Sequence, residues 1–158
     1  MSILVYAESW EGKFRKSTFE AVSYAKKLSQ LLNTNVKSIS IGNVEEDELK
    51  KLSNYGTSSI DSFPNISKED TGSTAKIIAE LADDSNLLVF SNTFNAKSIA
   101  PRVSSKLMAG LITNVISNTD NKENLSFNRQ AFSSKAIETT KLNSEKGVIC
   151  ISPNSFEI

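Results

Sequence analysis

The chemically reactive side chains of this 158-residue chain are few. It contains no histidine and a single cysteine, Cys150. Zinc sites, cysteine–histidine pairs and serine–histidine–aspartate triads therefore lack an essential member. Cys150 lies in the apolar run at residues 148–151, where a buried thiol is expected rather than a nucleophile. No motif of paired carboxylates replaces these groups, so we predict no catalytic residue and no metal site.

A polar loop that follows an apolar strand is a candidate binding site. Ser91, Asn92, Thr93 and Asn95 offer hydroxyl and amide groups beside a predicted helix start, and such an arrangement can bind an anion. The alternative, which is favoured, is that these groups cap the helix and complete the turn. The six glycines are dispersed singly, so neither a dinucleotide fingerprint nor a phosphate loop can be assembled. Asn92 and Thr93 remain candidates for contact with a cofactor.

Arg129 is a third candidate because it lies between apolar strand positions, where a long cation needs a partner. An intradomain salt bridge is the favoured interpretation, and a cofactor contact is the alternative. For Arg102 we expect pairing on a helix surface. Glu8, at the end of the first apolar run, is expected to hold the loop that follows it.

The composition restricts the classes of protein to which the chain can belong. Hydrophobic residues make up 39% and charged residues 23%, which is ordinary for a globular protein. The 18 basic and 18 acidic residues balance, so the charge pattern does not predict a nucleic-acid partner. No apolar run reaches the ~18 residues of a membrane span, and no signal-like region opens the chain. We predict a single cytoplasmic domain over residues 1–158.

Strand and helix signals alternate through most of the chain. Apolar runs predict strands at residues 3–6, 36–41, 87–90 and 111–116, and residues 59–63 predict a weaker one. Alternation with helices requires βαβ units, and hence a three-layer, doubly wound α/β fold with a mostly parallel sheet and helices on both faces. The last part predicts three strands with little helix between them, at residues 125–131, 136–142 and 147–152. An antiparallel edge is therefore expected at the C-terminal end.

Several residues predict where helices begin and end. Ser17 and Glu20 fit a capping box at the start of the first helix. Gly56 predicts the end of a short helix that begins near Glu45, and Asp70 is a candidate cap for the next helix. Ser98 predicts the start of the last helix, with Pro101 in its first turn, and Gly110 predicts a left-handed C-cap after it.

Four stretches together carry a family resemblance. The segment NAKSIAPRVSSKLMAGLITNVI at residues 95–116 resembles the N-terminal domain of the electron-transfer flavoprotein alpha subunit. So do ILVYAE at residues 3–8, FNRQAFSSKAIETTK at residues 127–141 and GVICISPNSF at residues 147–156. They occur in the family's order and span nearly the whole chain. The resemblance implies an α/β fold of the adenine-nucleotide alpha-hydrolase-like type.

The resemblance also implies a function without catalysis. Such a domain pairs with the beta subunit as a heterodimer and supports a separate domain that binds most of the FAD. Electrons pass from flavin dehydrogenases, such as the acyl-CoA dehydrogenases of fatty acid beta-oxidation, to a quinone oxidoreductase. No stretch of residues 1–158 resembles that FAD domain, so no cofactor is expected for this chain alone.

The chain departs from the family pattern at three places. Ser9 replaces a histidine, Asn114 replaces an aspartate, and FSSK at residues 132–135 replaces a glycine-containing turn. A second hypothesis therefore stays open, a stand-alone adenine-nucleotide-binding module of the universal-stress-protein type. It would need a glycine-rich loop after the fourth strand, which residues 91–95 do not provide.

Overall fold

The computed structural model describes residues 2–158, which form a central eight-stranded sheet, a small hairpin and flanking helices. The elements in chain order are β1 (Ser2–Tyr6), β2 (Ser9–Trp10), β3 (Lys13–Phe14), α1 (Lys16–Leu32), β4 (Asn35–Ile41), α2 (Glu46–Lys51), β5 (Ser59–Phe63), α3 (Thr71–Leu81), β6 (Ser85–Ser91), α4 (Phe94–Leu107), β7 (Gly110–Asn118), β8 (Phe127–Ala131), β9 (Ala136–Thr140) and β10 (Gly147–Ile151). Short 3-10 turns follow α2, at Leu52–Tyr55, and precede β8, at Lys122–Asn124.

The large sheet has the strand order β5-β4-β1-β6-β10-β7-β8-β9. Neighbours from β5 to β7 are parallel, whereas β8 and β9 are antiparallel. The predicted fold class is therefore confirmed. The last strand differs from the expectation, because β10 runs parallel between β6 and β7. All five of its residues are buried. A strand inside the sheet has other elements packed on both of its faces, and its interior position therefore accounts for this burial.

The core is divided between the two faces of the sheet. On one face, α1 covers alternate strand residues such as Ile3, Val5 and Val89. On the other, α3 and α4 cover the intervening residues, such as Leu4 and Phe90. This alternation follows from the period of two along a strand and accounts for the three layers.

The start of α1 does not have the predicted capping box. Arg15 occupies the N-cap position and makes no side-chain cap hydrogen bond, and Ser17 lies within the first turn. The carboxylate of Glu20 instead accepts three backbone N–H groups from residues 154–156, at 2.7 to 2.9 Å. The Phe156 ring lies 4.3 Å from that of Tyr24, between centroids. The prediction was wrong because the Glu20 carboxylate binds backbone N–H groups far along the chain instead of the start of its own helix.

The start of α4 also differs from the prediction. Thr93 is the N-cap, and its hydroxyl accepts the N–H of Ala96 at 3.1 Å. Ser98 therefore lies one turn inside the helix, and Pro101 is within the helix rather than in its first turn. Proline has no N–H to donate to the carbonyl four residues earlier, so the helix tolerates one missing hydrogen bond there.

Gly110 begins β7 and is not the predicted left-handed C-cap. That position belongs to Met108, whose φ is 51°. A Cβ at Gly110 would lie 2.7 Å from Leu142 Cδ2 and 2.8 Å from Ser144 Oγ. Glycine is needed here for close approach of another segment, which explains why the residue type misled the prediction.

Two other predicted helix ends are confirmed. Asp70 caps α3, since its carboxylate accepts the N–H of Ser73 at 3.0 Å. Gly56 closes the turn after α2 with a φ of 112°, a conformation that favours glycine.

Candidate functional site

A cavity of about 590 Å³ opens at the carboxyl ends of β1 and β6. The chain winds outward from β1 to β4 and β5 on one side, whereas β6 lies on its other side. This reversal is a topological switch point, where parallel α/β sheets bind ligands. First-turn residues of α1, α3 and α4 complete the lining.

The hairpin of β2 and β3 forms one wall of this cavity. Its turn residues, Glu11 and Gly12, have φ values of 49° and 74°, as a two-residue hairpin turn requires. The hairpin places the Trp10 ring beside two cations. The Arg15 guanidinium carbon is 4.3 Å and the Lys68 Nζ is 4.5 Å from the ring centroid, both within cation–π range.

Glu8 connects the loops that surround the cavity. Its carboxylate accepts a hydrogen bond from the Thr93 hydroxyl, which also caps α4. Its backbone carbonyl accepts the Thr18 hydroxyl at 2.6 Å. The carboxylate was expected to hold the loop that follows Glu8, but its hydrogen bond goes to the N-cap of α4 instead.

A second chain of hydrogen bonds lies along the α3 side of the cavity. The Tyr6 hydroxyl donates to Asn95 Oδ1 at 3.1 Å, and Asn95 Nδ2 donates to the Lys68 carbonyl at 3.1 Å. Burial raises the pKa of the Tyr6 phenol, and the charges of Glu8 and Glu69 raise it further. The phenol therefore stays protonated and remains a donor.

The two candidates of the polar loop lie in different surroundings. Thr93 lines the cavity and is engaged by Glu8. Asn92 does not line it, because its side-chain amide donates to Asn114 Oδ1 and its backbone N–H donates to the Ile151 carbonyl at 2.8 Å. Asn114 has a φ of 57° within β7, so the amide contact braces an irregular strand.

Arg129 lies on β8, away from the cavity lining. Its Nη1 is 2.8 Å from Glu138 Oε2 on β9, and its Nε donates to the Thr113 carbonyl at 2.9 Å. These contacts match the expected intradomain salt bridge. Arg102 is exposed on α4.

The sequence predictions missed Trp10, Arg15 and Lys68 as site residues. Trp10 is the single tryptophan of the chain, and basic residues follow it closely, which was the available signal. The contribution of Lys68 could not be seen, since it reaches Trp10 from 58 positions along the chain only after the sheet has formed.

The surroundings of Cys150 determine the protonation state of its thiol. Cys150 is 1% exposed, and burial raises the pKa of its thiol to about 12. The thiol therefore stays protonated at neutral pH. Within residues 2–158, no group of three or more potential ligands could hold a metal ion, and no helix is long and apolar enough to span a membrane.

The β8–β9 hairpin exposes apolar side chains at the antiparallel edge of the sheet. Phe132 is 80% exposed and Ile137 is 69% exposed. Residues 132–134 all have positive φ values, at the turn where glycine would be the least strained residue. β9 is the terminal strand of the sheet, so its outer backbone edge is not paired within residues 2–158.

Sequence comparison places this architecture in a known family. The profile of the family described as "Electron transfer flavoprotein domain" matches residues 3–158. The electron transfer flavoprotein subunit alpha of Thermoanaerobacterium thermosaccharolyticum is 32% identical over 113 residues, which cover 69% of this chain and 34% of that protein. Proteins of the same name from Clostridium acetobutylicum and Bacillus subtilis are 24% and 23% identical, covering 98% of this chain and 48% of each relative. The chain therefore spans about half or less of the length of these curated relatives.

Proposed function

Because this chain belongs to the electron transfer flavoprotein domain family, we propose that it is the single N-terminal scaffold domain of an alpha subunit. In this role it pairs with a beta subunit and supports a flavin-binding domain, and it performs no catalysis itself. The three relatives, which are all named alpha subunits, support the choice of subunit. The cytoplasmic location stays a prediction from composition.

The proposal that the chain pairs with a beta subunit rests on the exposed β8–β9 hairpin. Phe132 and Ile137 place two large apolar side chains in solvent on a sheet edge whose outer backbone groups can accept another strand. Burial of both side chains against a partner would contribute about 3–6 kcal/mol, before the costs of association. We propose the beta subunit as the occupant of this surface, because the relatives are named alpha subunits.

The three side chains that the sequence suggested for cofactor contact all have partners within the domain. Thr93 is engaged by Glu8, Asn92 by Asn114, and Arg129 by Glu138. These internal partners support the proposal that FAD is held mainly by other segments of the assembled protein. In that assembly, we propose that electrons from flavin dehydrogenases, such as acyl-CoA dehydrogenase, pass through the flavin to a quinone oxidoreductase.

Reconstitution with an electron-transfer flavoprotein beta subunit from the same organism tests the pairing. We expect the two proteins to elute together in size-exclusion chromatography and to give a measurable dissociation constant by calorimetry. Phe132→Ser and Ile137→Thr should each weaken binding about tenfold or more. Met108→Gln is the matched control, because Met108 is 89% exposed but lies after α4, outside this hairpin.

Two results would contradict these proposals. If the unmodified chain and the beta subunit do not associate, the proposal that they pair is wrong. If they associate and the Phe132 and Ile137 variants bind as tightly as the Met108 variant, the hairpin is not the contact surface.

A further inference from the structure

A second cavity, of about 400 Å³, lies at the amino ends of β1, β6 and β10. It is at the end of the sheet opposite the cavity described above, and we call it the amino-end cavity. Six apolar side chains contribute to its lining: Ile3, Leu32, Leu87, Leu125, Phe127 and Leu142. A volume of this size is within the range of pockets that hold small organic ligands.

Hydrogen bonds hold the two loops that contribute to this lining, the β7–β8 loop and the β9–β10 loop. Within the β7–β8 loop, the N–H of Ser126 donates to Thr119 Oγ1 at 3.0 Å, and the N–H of Thr119 donates to the Ser126 carbonyl at 2.9 Å. Lys141 Nζ, of the β9–β10 loop, donates to Asn124 Oδ1 in the β7–β8 loop. The two loops are therefore joined to each other.

The β9–β10 loop also packs closely against two strands. A Cβ atom at Gly110 or Gly147 would collide with the methyl groups of Leu142. Ser144 Oγ accepts the N–H of Gly110 at 2.8 Å and donates to the Lys146 carbonyl at 2.6 Å. The cavity is therefore formed without a ligand, and a preformed site lowers the entropic cost of binding.

Two side chains of opposite charge line the cavity without ionic partners. Lys122 is on the β7–β8 loop and Glu145 is on the β9–β10 loop, and both are exposed. Within residues 2–158, neither forms a salt bridge. The Lys122 ammonium group can therefore donate to a carboxylate of a ligand, and the Glu145 carboxylate can accept from an ammonium group.

The C-terminal end of α1 adds negative potential at the same cavity. Leu32, the last residue of α1, and Thr34 contribute to the lining. The last turn of this helix contains no basic residue. Because the last carbonyl groups of a helix carry a partial charge of roughly −0.5, this end of α1 favours an ammonium group of a ligand.

We propose that the amino-end cavity binds a free α-amino acid with an apolar side chain, such as leucine. The side chain of the ligand packs against Leu125 and Leu142. Its carboxylate binds Lys122, and its ammonium group lies between Glu145 and the end of α1. A simple carboxylic acid would leave Glu145 unpaired, and a simple amine would leave Lys122 unpaired, so the lining favours a ligand that carries both charges.

Titration calorimetry with L-leucine and three analogues tests the proposal. We expect leucine to bind saturably with a dissociation constant below ~1 mM. The analogue 4-methylpentanoate lacks the ammonium group, and isopentylamine lacks the carboxylate, so each should bind at least about tenfold more weakly. Glycine keeps both charges but has no side chain to bury, and it should give no saturable heat at ~1 mM.

Variants of the two charged residues separate a specific site from general attraction to the protein surface. Lys122→Gln and Glu145→Gln should each weaken leucine binding about tenfold or more. Lys97→Gln and Glu123→Gln are the matched controls, because both residues are exposed and lie outside the lining, and they should bind leucine normally. Circular dichroism and thermal unfolding should show that all four variants are folded.

The proposal is overturned if the unmodified chain gives no saturable response to leucine at ~1 mM. It is equally overturned if the Lys122 and Glu145 variants bind leucine as the two control variants do. If 4-methylpentanoate or isopentylamine binds as tightly as leucine, the cavity takes an apolar group whatever its charge, and the amino-acid assignment is wrong. Failure of these tests leaves the pairing proposal unaffected, because pairing is measured with another protein and with variants of other residues.

Discussion

Replacement of Glu20 with glutamine should loosen the segment at residues 154–156 from α1. Glu20 is 1% exposed, and its carboxylate accepts all three backbone N–H groups of that segment. Oε1 accepts from Ser155 and Phe156, while Oε2 accepts from Asn154. A glutamine amide can keep the first two bonds, but its NH₂ group then faces the third N–H.

The expected cost follows from these contacts. A hydrogen bond to a charged group contributes about 1.5–3 kcal/mol, compared with about 1 kcal/mol for a neutral one. Loss of the charge from two bonds and loss of the third bond therefore gives roughly 2.5–7 kcal/mol. Asn154 is exposed, so its N–H can bind water once released. We expect the lower part of the range, about 3 kcal/mol, or a decrease in Tm of roughly 6–12 °C.

Two measurements on the same variant should agree. Chemical denaturation gives the change in the free energy of unfolding, and hydrogen exchange gives the protection of the amides at residues 154–156. In the unmodified protein these amides should exchange slowly, since each is bonded to Glu20. In Glu20→Gln they should exchange faster than the amides of β10, which immediately precedes them.

Ser17→Ala distinguishes this arrangement from the capping box that the sequence suggests. As an N-cap, Ser17 would contribute about 1 kcal/mol. In the structure Arg15 is the N-cap and Ser17 lies inside the first turn, so the alanine variant should be nearly as stable as the unmodified protein. The reasoning is refuted if Ser17→Ala is the more destabilising change, or if Glu20→Gln leaves both stability and amide protection unaltered.

Three further predictions concern single side chains. Thr93→Ala should lower stability by about 1–2 kcal/mol in denaturant titrations, because Thr93 caps α4, whereas Ser98→Ala should be nearly neutral. The Cys150 thiol should resist a thiol reagent at pH ~8 while the protein is folded and react fully in denaturant, and fast reaction of the folded protein would contradict its burial. A hydrogen bond from Lys51 lowers the pKa of Glu48 below its ordinary value of 4.5, so Glu48 stabilises the fold above that pH. The stability difference from Glu48→Gln should therefore be constant near neutral pH and decrease as the pH falls through the lowered pKa.

The elements of the fold could be predicted because burial leaves a direct pattern in the sequence. Residues 59–63 and the interior strand β1 were placed closely by their apolar spacing, and Asp70 and Gly56 were assigned the roles they have. These features depend on residues a few positions apart. Local conformational preference and tertiary structure agree at these residues, and such agreement allows structure to be predicted from sequence.

The incorrect predictions share one physical cause. Glu20 has the right type and spacing for a capping box, yet residues 154–156 supply better donors to its carboxylate. Gly110 suits a helix end, yet its missing Cβ leaves room for Leu142. In both cases, a partner more than 30 positions away decided the role of the residue. Spacing along the chain carries no information about such partners.

The cavity at the carboxyl ends of β1 and β6 also depends on contacts between residues that are far apart in the sequence. Tyr6, Asn95 and the Lys68 carbonyl form one chain of hydrogen bonds, and Glu8 with Thr93 forms another. Together they fix the loops after β1 and β6 and the segment before α3. A site that is already held in place loses little conformational entropy when a ligand binds, so modest contacts suffice for affinity. A further hydrogen bond, from Lys68 Nζ to the Ser9 carbonyl at 2.6 Å, connects the segment before α3 to the β2–β3 hairpin.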